Sequence, residues 1–224
     1  MEVTLRPFFS GFRSQNFKRG EIVVRAGGAT DYLYYVKSGF VRQYSINSAG
    51  QELTVYIYPP DSCFFLPWMF NVTKNHYYFQ TMTRATIRKA LKSEFLQKIQ
   101  TNIPALFLLA GSGYVGLTVL MMHMETMLAG ESPQKVASVL AVLTRWFGKK
   151  TGRKILVNFP TTHQFISTVS GLSKETVNRI LKELKDKKIL EIAKGKIYIS
   201  HVEKLNKMTS ISYEGIPVIP TVTD

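Results

Sequence analysis

Twenty consecutive residues without a charge, Ile103 to Met122, interrupt an otherwise strongly basic chain of 224 residues. That length could span a bilayer, but the segment holds three glycines and lacks an aromatic and basic belt at either end. Apolar residues recur at alternating spacings of three and four, which predicts a helix with a heptad-like seam. We expect a second copy of the chain and a neighbouring domain to cover this helix, and no membrane span. The candidate dimerisation residues are Leu106, Ala110, Gly113, Leu117, Leu120 and Met124.

The segments on either side of this helix have different periodicities. Between residues 17 and 90, short runs rich in β-branched and aromatic residues alternate with turn residues, which predicts an antiparallel β sandwich or small barrel. Ser93 to Gln100 is expected to form a short helix capped by its first residue. A further helix is expected from Pro133 to Phe147, followed by a basic loop, Lys149 to Lys154, and a strand, Ile155 to Phe159.

Charge and cysteine content narrow the possible partners. The net charge is +14, and residues 131–224 carry 16 basic and 8 acidic groups against 13 and 7 in residues 1–130. A basic surplus points to a polyanion such as DNA, RNA or an anionic membrane surface. The single cysteine, Cys63, excludes an intramolecular disulfide and any site built from several cysteines, so we expect no metal and a reducing, cytoplasmic compartment.

The most specific pattern is Thr162 to Leu184, which predicts two short helices joined at Gly171-Leu172, a helix-turn-helix. Ser173 is a natural N-cap of the second helix, whose outer face carries polar side chains that suit the edges of DNA bases. The candidate base-contacting residues are Lys174, Glu175, Asn178 and Arg179. The candidate phosphate-contacting residues are Thr162, Ser173, Thr176 and Lys182. A hairpin, 189–193 and 196–200, follows.

Residues 171–184, Gly-Leu-Ser-Lys-Glu-Thr-Val-Asn-Arg-Ile-Leu-Lys-Glu-Leu, resemble the recognition segment of the CRP/FNR family of bacterial transcription regulators. Residues 17–28, 32–39 and 50–53 are similar to that family's cyclic-nucleotide-binding-type β-roll, and the resemblance covers about residues 15–205. It implies an α+β fold whose N-terminal antiparallel β-roll is of the double-stranded β-helix, or jelly-roll, type. The implied segments are the β-roll (1–100), a long dimerisation helix (101–130), a winged helix-turn-helix (131–208) and a loosely ordered tail (209–224).

The resemblance also implies a function. A homodimer would bind double-stranded DNA at a palindromic promoter site, and RNA polymerase would be a further partner. Glu175 and Arg179 resemble the pair that reads a TGA-type core in each half-site, whereas Lys174 stands where one branch of the family has arginine. The chain is expected to be a regulator and not an enzyme.

The β-roll departs from the family members that bind cyclic AMP. Those members carry a Gly-Glu pair for the ribose and an Arg-Ser/Thr pair for the phosphate, where this chain has Phe64–Pro67 and Asn75–Tyr78. We therefore expect no cyclic AMP and no resident cofactor, although a cyclic-nucleotide-responsive regulator of the same fold stays an alternative. Aromatic residues in this region indicate either a packed core or a pocket for an apolar effector. The candidate pocket residues are Tyr56, Phe64, Phe65, Trp68, Tyr77 and Tyr78.

One alternative of another class rests on Gly111 to Gly116, which matches the G-x-G-x-x-G pattern of dinucleotide-binding enzymes. A parallel βαβ unit is needed around such a motif, and the sequence predicts none there. His76 and His123 are isolated histidines, and Cys63 has no second cysteine to resolve an oxidised form. The regulator therefore remains the favoured hypothesis.

Overall fold

A computed structural model describes residues 5–28, 31–64 and 74–211. The chain divides into two compact units that separate between Leu117 and Thr118, inside its longest helix. The N-terminal unit consists mainly of strands, and the C-terminal unit combines helices with a small sheet. The domain boundaries proposed from sequence, which treat the long helix as a segment of its own, stay a prediction.

The N-terminal unit contains two antiparallel sheets. Its strands are β1 (Arg13–Phe17), β2 (Ile22–Val24), β3 (Tyr32–Ser38), β4 (Val41–Ile46), β5 (Glu52–Tyr58), β6 (Cys63–Phe64), β7 (Tyr78–Thr81) and β8 (Ala85–Leu91). The sheets have the strand orders β1-β8-β3-β6 and β2-β7-β4-β5. Sequence reasoning missed β1, whose residues are mostly exposed and polar, and it merged β7 and β8 into one strand. The predicted antiparallel β-roll is confirmed.

Successive side chains of β3 point to opposite faces of the sheet and belong to two different hydrophobic clusters. Tyr34 and Val36 lie in an inner cluster, and Leu33 and Tyr35 lie in an outer cluster on the opposite face of the same sheet. The inner cluster comprises Val24, Tyr34, Val36, Val41, Phe64, Phe79, Ala85 and Ile87. The outer cluster comprises Leu5, Phe9, Phe12, Leu33, Tyr35, Cys63, Ala90, Phe95, Ile99, Ala105 and Leu109. The sheet therefore carries apolar side chains on both faces.

Helices α1 (Arg6–Phe9) and α2 (Lys92–Gln100) cover the outer cluster. The ring of Phe9 stacks on that of Tyr35 with their centroids 4.5 Å apart. The predicted cap of α2 by Ser93 is wrong: Leu91 occupies the N-cap position without a side-chain hydrogen bond. The reason is that β8 runs directly into α2, where the Lys92 amide donates to the Asp31 carbonyl at 2.8 Å.

The long helix, α3 (Ile103–Ala129), has one buried and one exposed apolar side. Ala105 and Leu109, one turn apart, are buried in the outer cluster. The large apolar side chains that the isolated chain leaves exposed on α3 are Ile103, Leu106, Phe107, Tyr114, Leu117, Met121, Met124 and Leu128. By length and composition alone, α3 could cross a bilayer, so its exposed side needs a partner of some kind.

The C-terminal unit is a helical layer on a four-stranded sheet. Its elements are α4 (Ser132–Phe147), β9 (Gly148–Thr151), β10 (Lys154–Val157), α5 (His163–Ser170), α6 (Lys174–Asp186), β11 (Leu190–Ala193), β12 (Lys196–Ile199) and α7 (Val202–Asn206). The sheet order is β11-β12-β10-β9. The expected basic loop is instead strand β9 and its turn, since Gly148–Thr151 pairs with β10 although all four residues are exposed. The predicted winged helix-turn-helix is confirmed.

Candidate DNA-binding interface

Helices α5 and α6 form a helix-turn-helix in which two side-chain caps start the helices and a glycine ends the first one. Thr162 caps α5 by accepting from the Phe165 amide at 3.0 Å, and Ser173 caps α6 by accepting from the Thr176 amide at 3.2 Å. Gly171 ends α5 with φ +66°, a left-handed conformation that suits glycine. The predicted turn at Gly171 and cap at Ser173 are confirmed.

The burial of α6 determines which side chains face outward. Val177, Ile180, Leu181 and Leu184 are buried, as is Ile166 of α5. The opposite face of α6 exposes Lys174, Glu175, Asn178, Arg179 and Lys182. The structure thus brings the four candidate base-contacting residues together on one exposed helical face, and helix α6 has the length and polarity to enter a major groove.

Two residues of this face have defined electrostatics. Arg179 donates to the Glu183 carboxylate at 2.7 Å, one helical turn away. The pKa of Glu175 lies below its ordinary value, first because its carboxylate accepts from its own backbone amide and then because it accepts from the Ser173 hydroxyl. Glu175 is therefore ionised at neutral pH and can accept a hydrogen bond from the amino group of cytosine.

The candidate phosphate-contacting residues are also exposed, with the exception of the half-buried Thr176. The Ser173 and Thr176 hydroxyl oxygens lie 3.1 Å apart at the N-terminus of α6. Such a terminus carries free amide donors and a partial positive charge, which suits a phosphate. Lys182 lies two turns further along the exposed face. The contacts of these residues with DNA stay predictions.

The wing is the hairpin of β11 and β12, with Lys194 and Gly195 at its tip in left-handed conformations. The sequence predicted this hairpin at residues 189–193 and 196–200. Pairing of Ile155 with Ile199 places the Lys154 end of β10 beside the base of the wing, away from its tip. The β9–β10 turn, with exposed Arg153, is therefore at the opposite end of the sheet from the wing tip, and the exposed Lys149 and Lys150 precede this turn on β9.

Several candidate effector-pocket residues pack against other aromatic side chains of the β-roll. Phe64 is 1% exposed and stacks on both Tyr34 and Phe79, at centroid distances of 4.9 Å. Tyr58, half-buried beside them, donates its hydroxyl to Gln43 at 2.8 Å. Tyr56, Tyr77 and Tyr78 are half-buried, while Phe65 and Trp68 lie outside the described residues. Aromatic side chains thus occupy the described interior.

Along α3, the predicted dimerisation residues are exposed except Leu120, which is half-buried. Besides Ile103, the most exposed apolar residues of α3 recur every seven positions, and three of them lie one position after a predicted dimerisation residue: Leu106, Gly113 or Leu120. Phe107, Tyr114, Met121 and Leu128 are 74%, 76%, 62% and 83% exposed. With Ile103, Ala110, Leu117 and Met124, they keep the alternating spacing of three and four, so the exposed stripe is shifted and not lost.

The remaining candidate groups do not form a catalytic or metal centre in the described part of the chain. Gly111 to Gly116 lies within α3. A dinucleotide-binding glycine motif needs a strand-to-helix turn, so this segment does not form such a site. No described cluster of three His, Cys, Asp or Glu side chains could hold a metal ion. Burial raises the pKa of the Cys63 thiol and lowers that of His123, so both favour their neutral forms.

Each of the two units matches a known domain family. Residues 14–102 match the cyclic nucleotide-binding domain, and residues 134–208 match the Crp-like helix-turn-helix domain. The global nitrogen regulator of Nostoc sp. (strain PCC 7120) is 26% identical over 188 residues, covering 83% of this chain and 84% of the relative. The nitrogen fixation regulation protein FixK of Rhizobium meliloti (strain 1021) is 24% identical over 176 residues, covering 79% and 77%.

Two solved structures share the fold. TTHB099, a CRP-family transcriptional regulator from Thermus thermophilus, has a TM-score of 0.77 at 18% identity, covering 89% of this chain and 98% of that one. FixK2 from Bradyrhizobium japonicum has a TM-score of 0.76 at 19% identity, covering 90% and 98%.

A β-roll followed by a long helix and a winged helix-turn-helix defines a class of DNA-binding transcription regulators, and the family matches cover both units. The chain belongs to the CRP/FNR family. It is a DNA-binding regulator of transcription and not an enzyme.

Proposed function

We propose that this regulator acts as a homodimer that reads an inverted repeat with a TGA core in each half-site. The observation that carries the proposal is the exposure of Glu175 and Arg179 one helical turn apart, above a buried row of α6. Side chains at this spacing lie about 5–6 Å apart at Cβ, so they can contact neighbouring base pairs. Glutamate accepts from cytosine and arginine donates to guanine, which are the bases of a TGA step and its complement.

The exposed stripe of α3 supports the dimer. Large apolar side chains line that stripe over the length of the helix, from Ile103 to Leu128. Contiguous apolar patches of this kind are rare on monomers, and their spacing of three and four is that of a two-stranded coiled coil. A second copy of α3 is the occupant we propose, since two-fold symmetric DNA sites need two recognition helices about 34 Å apart.

The test is selection of binding sites from random duplexes, followed by titration of the selected duplex with wild-type protein and two variants. Arg179→Ala should cost about 1–3 kcal/mol and relax the preference at one base pair. Lys182→Ala is the matched control, because loss of a phosphate contact should weaken all sequences alike and reduce the salt dependence. An Arg179→Ala protein that discriminates sites as well as wild type would overturn the assigned recognition face.

Regulation in this proposal does not use a cyclic nucleotide. Solved structures with this fold include CprK complexed with OCPA and the regulator CLP, described as c-di-GMP responsive, so the fold accepts different ligands in different proteins. Here the described interior is filled by Tyr58, Phe64 and Phe79, and Asn75 is held by Arg25 and Tyr77 backbone atoms. Any effector of the candidate pocket would be apolar or aromatic. Saturable binding of cyclic AMP or cyclic GMP in calorimetry would contradict this part.

The β9–β10 turn is the proposed contact with RNA polymerase in the cytoplasm. Arg153 lies in this turn, at the opposite end of the sheet from the wing tip, and the exposed Lys149 and Lys150 precede it on β9. A surface at that end can remain available while the wing tip contacts DNA. Replacing all three with glutamine should lower transcription from a target promoter in a purified system more than it lowers DNA affinity. A loss of DNA affinity as large as the loss of transcription would assign these cations to DNA instead.

A further inference from the structure

An open cavity of about 590 Å³ lies on the outer face of the β-roll, on the opposite side of the sheet from the inner cluster. Its walls come from α1, β3, β8 and the turn before β6. The lining residues are Arg6, Pro7, Ser10, Tyr35, Lys37, Ser38, Pro60 and Arg88. This volume is within the range of cavities that hold small organic molecules.

The cavity is cationic. Arg6, Lys37 and Arg88 reach it from three separate elements, and none of its lining residues is acidic. The nearby carboxylate of Asp61 already accepts from Arg6 Nε at 2.8 Å and from the Tyr35 hydroxyl. The Asp61 carboxylate is therefore already paired with Arg6. The positive charges of Lys37 and Arg88 remain in excess around the cavity.

Two of the cations differ in how they are held. Arg88 is directly opposite Tyr35 in the β3–β8 ladder, and its Nη1 donates to the carbonyls of Phe9, Ser10 and Phe12. Three backbone contacts fix the guanidinium in place without neutralising it. Lys37 is exposed and forms no ion pair with any residue that the structure describes, so its ammonium group is free to contact an anion.

The cavity also offers apolar surface. Tyr35 is 1% exposed, and its ring stacks on Phe9 beneath the cavity. The apolar walls that a ligand can contact are those of the exposed Pro7 and the half-buried Pro60. A bare inorganic ion would use the cations alone, whereas an organic anion would use the apolar walls as well. We propose that this outer cavity binds a small organic anion, a carboxylate or phosphate group on an apolar or aromatic body, with Lys37 and Arg88 as its charge partners.

The proposal can be tested by calorimetry on the full-length protein without DNA, at constant ionic strength. The probes are benzoate, phenyl phosphate and inorganic phosphate. We expect saturable binding of an aromatic anion, with inorganic phosphate weaker than phenyl phosphate because it lacks an apolar body. Comparing benzoate with phenyl phosphate shows whether the site prefers a carboxylate or a phosphate.

Two exposed lysines provide matched variants. Lys37→Gln should weaken binding by about tenfold or more, since a hydrogen bond to a charged group is worth at least that factor. Lys18→Gln removes one exposed charge from the same unit but outside the cavity, and should leave the affinity unchanged. Absence of saturable binding by every probe overturns the proposal, and so does equal binding by wild type and Lys37→Gln, which would place the anion elsewhere, for instance on α6.

Discussion

The hydroxyl oxygen of Tyr56 lies 3.1 Å from the point that a Cβ atom on Gly116 would occupy. Burial raises the pKa of Tyr56 to about 12, so its hydroxyl stays neutral at physiological pH. The Tyr56 ring contacts Tyr58 at a centroid distance of 4.7 Å, and Tyr58 contacts Phe64 and Phe79 in turn. A continuous row of aromatic side chains therefore connects the interior of the β-roll with a glycine of the long helix.

This contact predicts a non-additive effect on stability. Gly116→Ala gains about 0.8–1 kcal/mol of helix propensity, but the new methyl group meets the Tyr56 hydroxyl, so we expect little net change in the free energy of unfolding. In a Tyr56→Phe background the hydroxyl is gone and the same substitution should stabilise by about 1 kcal/mol. Urea unfolding of the four proteins measures the difference, and equal effects of Gly116→Ala in both backgrounds would show that the contact does not constrain the helix.

The ion pair between Arg179 and Glu183 predicts a gain in DNA affinity when it is removed. Arg179 has to leave Glu183 to reach a base, and an exposed pair one turn apart is worth about 0.3–0.5 kcal/mol. Glu183→Gln should therefore bind the selected duplex about twofold more tightly. Glu203→Gln, which removes one exposed negative charge from α7, is the control in fluorescence anisotropy. If both variants gain equally, net charge alone explains the effect.

The exposed stripe on α3 predicts a change of oligomeric state. Leu117 is 51% exposed, so Leu117→Lys should leave the folded unit intact while it places a charge in the proposed dimer interface. Sedimentation velocity should show monomers, and affinity for a two-half-site duplex should fall to that for a single half-site. Leu91→Lys, at an exposed leucine outside α3, should remain dimeric. A wild-type protein that is monomeric in solution, or that sediments with lipid vesicles, would rule out a second copy as the occupant.

The lowered pKa of Glu175 predicts a measurable role for Ser173. Because the folded pKa is depressed, the stability that Glu175 contributes is present above its unfolded pKa and is lost as the pH falls through the folded pKa. Ser173→Ala should raise the pKa of Glu175 toward its ordinary value, since one hydrogen-bond donor is lost. Carboxyl-carbon NMR titration measures this shift. Ser93→Ala, in the other unit, should leave the Glu175 titration unchanged, and an unshifted pKa in Ser173→Ala would contradict the assigned hydrogen bond.

Local signals explain which parts of the fold were predictable. Gly171 and Ser173 act on the residues beside them through a left-handed turn and a cap, so the helix-turn-helix was visible without tertiary information. Strands β1 and β9 were not visible, because their residues are exposed and are held as strands by pairing with β8 and β10. Ser93 was assigned as a cap from residue type alone. Because β8 continues directly into α2, Leu91 and not Ser93 occupies the N-cap position.

The sequence by itself determined the class of the protein. Alternating strands, one long apolar helix and a capped, polar-faced second helix act through short-range periodicity and side-chain chemistry, which are contained in the order of residues. Only the tertiary structure decided which side of α3 is exposed, because residues far apart in sequence, such as Tyr35 and Leu109, share one buried cluster. The aromatic packing inside the β-roll and the cationic outer cavity were likewise decided by strand pairing. Pairing brings Lys37 and Arg88 to one wall although they lie on strands that are far apart in the chain.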